Sequence, residues 1–202
     1  MNILKKQFLV AATLFALTPI ANAGYYDIEI RPDQPAVGVG KALFAEDTQH
    51  VWISLQDDLP TFERMVKAST SNNINEEFSA IRVNLYGINS EEYRHSKNQK
   101  VRKVWTDAFT FVKAYMNDTD VKFYCPNTAR DGAPTCAVEV IIDEKANETV
   151  NINAELLARG LSKLDDSEYK SKALNKSLQI YETTAKRANA GVWREMFSLF
   201  EM

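Results

Sequence analysis

The stretch Ile81-Arg82-Val83-Asn84-Leu85-Tyr86 alternates apolar and polar residues, the period of a strand with one face in a core. Gly87, Asn89 and Ser90 then signal a turn, so the third strand is read as Ile81 to Ile88. Two acids, Glu91 and Glu92, follow, and Arg94, Lys97, Lys100, Arg102 and Lys103 make a basic helix start. A strand that delivers an acidic turn beside basic residues is one way to hold a metal and a phosphate. The same pattern also describes a solvated turn followed by the wet face of an amphipathic helix.

Other segments carry the same short-strand signature. Val37 to Phe44 and His50 to Leu55 read as a hairpin around the turn Ala45-Glu46-Asp47-Thr48, with Gly38 and Gly40 permitting a bend. Asp120 to Cys125 and Cys136 to Ile142 read as a second antiparallel pair. Between the hairpin and the third strand, residues 56–80 form a long connection. Asp58 and Pro60 open a helical piece there, and Ser69 to Asn75 reads as loop. Lys97 to Met116 repeats apolar residues at three and four and is predicted to be a helix. Asn153 is read as the cap of a short helix that Gly160 stops, Leu161 to Leu164 as an edge piece, and Ser167 to Ala190 as a long helix. Five short strands with an interposed helix, and about three helices in all, fit a small Greek-key barrel of the OB type, an α+β fold.

The first 23 residues stand apart from this pattern. Lys5 and Lys6 precede an apolar run from Phe8 to Leu17, and Ala21-Asn22-Ala23 is a small-residue cleavage site, which reads as a signal peptide. The apolar run is short for a membrane span, and a retained anchor is the other reading. Residues 24–36 form a lead broken by Pro32 and Pro35, and the domain is expected from residue 37 to 202. With Lys5 and Lys6 removed, 22 basic residues face 27 acidic ones, a formal charge of −5, which disfavours a nucleic-acid partner. Cys125 and Cys136 are the two cysteines, and in an oxidising compartment they are expected to form a disulfide across a turn-rich loop. Metal ligation is the weaker reading, since no histidine lies near them in sequence.

Three phrases, in order, resemble motifs of the staphylococcal-nuclease-like (thermonuclease) family of OB barrels. Leu85-Tyr86-Gly87-Ile88-Asn89-Ser90-Glu91-Glu92 is similar to L-Y-G-I-D-[AT]-P-E. Ile152-Asn153-Ala154-Glu155-Leu156-Leu157-Ala158-Arg159-Gly160-Leu161 is similar to V-N-x-x-L-[VL]-x-x-G-L. Glu182-Thr183-Thr184-Ala185-Lys186, with Gly191-Val192-Trp193 after it, is similar to E-x-x-A-[KR]-x-x-x-x-G-[IL]-W. Together they span roughly residues 37–196. The resemblance implies a calcium site, a glutamate that orients water and two arginines on the phosphate. Asp47 and Asn89 fall on metal positions, and Asn89 stands where the family has an aspartate. Glu92 falls on the water-orienting glutamate. Asn84 and the pair Thr135-Cys136 occupy the two arginine positions, so Arg82 and Arg130 are the nearest cations to serve as catalytic substitutes.

Calcium prefers several anionic oxygens, and a neutral amide in place of a carboxylate weakens such a site. Arginines stabilise the charge that grows on a phosphoryl group, so their loss removes a large part of the catalysis. The expected function is therefore a periplasmic or secreted binding or assembly module of the cell envelope. Its expected partner is an envelope protein, and no cofactor is expected. The alternative is a secreted calcium-dependent nuclease cutting DNA or RNA phosphodiesters. Glu92 as a plain surface acid is the bland reading beside it. His50 and His95 are read as lone surface or packing histidines.

Overall fold

The computed structural model describes residues 37–129, 131–146, 148–165 and 172–197. The expected signal peptide, the 24–36 lead, Arg130 and the first residues of the predicted 167–190 helix lie outside the described residues. The hairpin is present as β1 (Val37–Ala45) and β2 (His50–Ser54), paired antiparallel. Val51 and Ile53 turn inward and are buried, while Trp52 faces out opposite Phe44. A register shift between Ala42 and Phe44 gives β1 one extra residue. Helix α1 (Leu59–Ala68) starts where the sequence placed it. The Asp58 carboxylate accepts from Thr61 N at 3.2 Å, and Pro60 sits in the first turn.

The reading of Ser69 to Asn75 as plain loop needs correcting. A single 3₁₀ turn over Ser71–Asn73 leads into β3 (Ile74–Asn75), which pairs with β4 (Ala80–Leu85). The third strand is also shorter than expected. The chain swings left-handed at Gly87 (φ +71°), and β5 (Ile88–Asn89) leaves the main sheet to pair with β9 (Lys163–Leu164). Helix α2 (Glu91–Arg94) and helix α3 (Gln99–Tyr115) follow, α3 capped by Asn98, which accepts from Lys100 N at 2.9 Å.

Strands β6 (Thr119–Thr128) and β7 (Pro134–Asp143) form the second hairpin, and β8 (Glu148–Asn151) runs directly into helix α4 (Ile152–Ala158). The cap of α4 is Asn151, whose Oδ1 accepts from Ala154 N at 2.9 Å, and not Asn153. Asn153 lies inside the helix with its side chain turned into the core. Helices α5 (Lys172–Arg187) and α6 (Val192–Phe197) complete the described chain.

The main sheet has seven strands in the order β3-β4-β2-β1-β6-β7-β8, with neighbours antiparallel, and β5-β9 is a separate two-stranded sheet. Two parallel rungs also join β4 to β7, Asn84 opposite Thr135 and Leu85 opposite Cys136. The fold is thus α+β, and the described residues hold seven strands in the main sheet and six α-helices where five strands and about three helices were expected. The extra strands are mostly two-residue pieces, too short for an alternating pattern to show. One core runs through the sheet and helices α1, α3, α4 and α5, including Ile53, Val83, Met116, Leu156 and Leu178. Tyr93, Val101, Val104 and Val192 form a smaller apolar group between α2, α3 and α6. Among the described residues no helix is long and apolar enough to cross a membrane.

Gly160 does stop α4, at φ +64°, and Leu161 N donates back to Leu156 O at 2.9 Å. Its backbone faces that of Gly191, also left-handed at φ +53°, and Val192 N donates to Gly160 O at 2.9 Å. A side chain on either glycine would run into the other segment's backbone. The two glycines therefore let the end of α4 and the start of α6 meet main chain to main chain.

The disulfide joins Cys125 of β6 to Cys136 of β7, both buried. It crosses the hairpin next to the register shift that follows Tyr124, and it closes the loop at a sequence separation of 11.

Candidate functional site

The turn between β1 and β2 is built by one carboxylate. Asp47 Oδ1 accepts from Gln49 N at 2.7 Å and from His50 N at 2.8 Å, and its Oδ2 lies 2.7 Å from His50 Nδ1. This is an aspartate-nucleated turn, in which the side chain satisfies the backbone two and three residues on. The other ring nitrogen, His50 Nε2, lies 3.5 Å from Asp131 Oδ2 in the β6–β7 turn.

Arg82 reaches the same point from β4. Its Nε donates to Glu46 Oε2 at 2.7 Å, and its Nη1 donates to Asp131 Oδ2 at 3.0 Å and to Asn73 Oδ1 at 3.1 Å. The ladder explains the reach: Arg82 sits opposite Trp52, and the next outward pair along the strands is Asn84 opposite His50. The Asp131 backbone carbonyl also accepts from Thr70 Oγ1 at 3.1 Å and from Asn73 Nδ2 at 3.0 Å. The 56–80 connection is thereby fastened to the tip of the disulfide hairpin.

Glu92 and Asn89 belong to a different group. Glu92 Oε1 accepts from Lys163 Nζ at 2.8 Å, and Asn89, paired with Lys163 in the small sheet, donates its N–H to Ser162 Oγ at 3.0 Å. The acid beside the β1–β2 turn is Glu91, whose Oε1 accepts from Thr48 Oγ1 at 3.4 Å and Trp105 Nε1 at 3.2 Å. Thr135, which the resemblance aligns with the second arginine, is buried with its hydroxyl unpaired among the described residues.

The structure thus joins Asp47 to Arg82, through His50 and Asp131, and places Glu92 with Asn89 beside Lys163. His50 and Asp131 are the site residues that sequence reasoning missed. Their signal was present in two local patterns: the Asp47-x-x-His50 spacing of an aspartate turn, and the Asp131-Gly132 turn pair. Nothing in the spacing announced that the two turns meet.

The donor set does not fit calcium. Asp47 already serves three donors with its two oxygens, and Glu92 faces a lysine. Among the described residues no three His, Cys, Asp or Glu side chains converge in a way that suits a metal ion.

Burial pushes the Asp47 carboxyl up, but the hydrogen bonds from the His50 ring and the Gln49 and His50 backbone outweigh it and hold the group below the ordinary carboxylate range. Asp131 follows the same pattern. Burial raises it, the Ala133 N–H and the Arg82 guanidinium bring it down further, and the net direction is down. Carboxylates depressed in the folded state add stability that is present above their unfolded value, and that stability is lost as pH falls through the folded value. The unfolding free energy is therefore expected to decline below about pH 4. The decline should be shallower in Asp47→Asn, as read by urea titrations at stepped pH.

No protein-family model matches the chain, and no curated protein matches it.

Proposed function

We propose that the chain is an exported OB-type barrel of the staphylococcal-nuclease-like kind that has lost its hydrolytic centre and acts as a binding or assembly module in the cell envelope. The observation that carries this reading is the state of Arg82. Its guanidinium is engaged by Glu46, Asp131 and Asn73, and its side chain is only 17% exposed, so it is not offered to a phosphate. Asp47 is used up in its own turn, and Glu92 faces Lys163 instead of sharing a cleft with Asp47. The parallel rungs between β4 and β7 support the barrel, because they bring the ends of the run β4-β2-β1-β6-β7 together. The apolar leader and the buried disulfide support an oxidising, exported setting, periplasmic or secreted. The acidic surplus and the half-exposed Glu46 and Asp131 favour a protein partner over nucleic acid.

Two absent arginines, at about 3 kcal/mol of barrier each, slow phosphodiester hydrolysis by roughly four orders of magnitude. The purified protein is expected to leave single- and double-stranded DNA and RNA intact with calcium as with chelator. Metal-dependent cleavage that disappears in Glu92→Ala would show instead a working calcium nuclease. A pull-down from envelope extract that returns no protein partner counts against the binding reading.

A further inference from the structure

Four aromatic rings of the protein lie beneath its own cations. Arg94 lies over Trp105 at 5.2 Å, Arg159 over Phe111 at 5.0 Å, Lys163 over Tyr93 at 5.6 Å and Lys186 over Trp193 at 4.4 Å. Phe44 and Trp52 are a stacked pair without such a cover. They stack on the outer face of the sheet with ring centres 6.3 Å apart, Phe44 is 48% exposed, and among the described residues no cation lies over either ring.

The register places this pair next to surplus negative charge. Phe44, Trp52 and Arg82 form one row across β1, β2 and β4. Glu46 follows Phe44 by two residues and is drawn to the same row by Arg82 Nε. Two carboxylates, Glu46 and Asp131, share that one guanidinium, and both stay half-exposed at 47% and 42%. The site is thus an uncovered aromatic shelf whose rim, counted over the described residues, is acceptor-rich and net negative. Phosphates are repelled from it. A guanidinium or ammonium group is drawn to it twice, by the ring faces and by the carboxylates.

We infer that the Phe44–Trp52 shelf, with Glu46 and Asp131 at its rim, docks an arginine- or lysine-bearing segment of a partner protein. The inference rests on the binding-module reading and gives it a surface and a partner chemistry. Stacked aromatics that receive an arginine are the residue types that dominate protein–protein interfaces.

The test uses the purified protein and a labelled glycine/serine peptide carrying arginines, followed by fluorescence anisotropy. The arginine peptide is expected to bind, and its citrulline counterpart, which keeps the shape and loses the charge, to bind roughly tenfold more weakly. Phe44→Ser and Glu46→Gln are each expected to weaken binding several-fold, with Glu144→Gln, an exposed acid of the β7–β8 turn, as the unaffected control. Should Phe44→Ser fold poorly by circular dichroism, Glu46→Gln and the citrulline comparison carry the test. Equal binding of the citrulline peptide overturns the inference. So does an effect of Glu144→Gln as large as that of Glu46→Gln, and so does no binding of the arginine peptide. Metal-dependent nuclease activity would overturn the inactive-module reading and leave a positive peptide result standing.

Discussion

Asn153→Leu is expected to lower the free energy of unfolding by about 4 kcal/mol, the largest effect of any single substitution considered. Asn153 is fully buried. Its Oδ1 accepts from Val138 N at 2.9 Å, and its Nδ2 donates to Tyr86 O at 2.8 Å and to Cys136 O at 3.2 Å. The parallel rungs between β4 and β7 stop at Leu85 and Cys136, and Tyr86 N donates to Cys136 O at 2.8 Å just beyond them. The Asn153 amide continues that ladder where the strands diverge, behaving as one more peptide unit supplied by α4. Leucine fills the space but leaves a buried N–H and a Tyr86 carbonyl without partners, at about 1–3 kcal/mol each. Asn153→Asp should do no better, because it turns an oxygen toward two carbonyls and buries a charge. Urea unfolding with an unchanged slope and a lower midpoint is the expected result. A loss below about 1 kcal/mol would mean that the amide is not what joins the strands.

Replacing both cysteines, as Cys125→Ser/Cys136→Ser, is expected to cost about 3 kcal/mol from the freed loop of the unfolded chain, with a further penalty for two hydroxyls in the core. Both sulfurs lie among buried residues of the main core. A small domain has only about 5–15 kcal/mol of stability in all, so this change takes a large share of it. The check is a pair of thermal unfolding curves, with and without reductant. Reduced native protein should unfold below the oxidised form and above the double variant, and an unmoved transition would mean that the bond adds nothing to the fold.

Most of the longer segments were legible from alternation and caps, though the six-residue helix Val192–Phe197 was not. The hairpin of Val51 and Ile53, the α1 start at Asp58 and Pro60, and the stop at Gly160 stand where local chemistry put them. The two-residue strand at Ile74, and the pairing of Ile88 with the edge piece at Lys163–Leu164, were not, because two residues have no period and their pairing is settled by partners far along the chain. Asn153 was misread for a related reason. Two asparagines two residues apart both suit a cap, and only the approach of β4 and β7 decides that Asn151 caps while Asn153 turns inward. In the site, Asp47 and Arg82 were singled out as a metal ligand and a substitute phosphate cation. Their present engagements come from three separate segments, which supply His50 and Glu46 of one turn, Asn73, and Asp131. No motif spacing spans such distances, so the meeting of a long connection, two turns and a strand had no one-dimensional trace.

Asp131 gives that meeting a mechanical meaning. Its carbonyl receives Thr70 and Asn73, its carboxylate receives Arg82 and faces His50, and Thr70 N donates in turn to Gly132 O at 3.2 Å. The excursion after β2 is therefore not a free appendage. It is a buckle over the hairpin tip, and the two come apart only if the bonds at Asp131 and Gly132 break together.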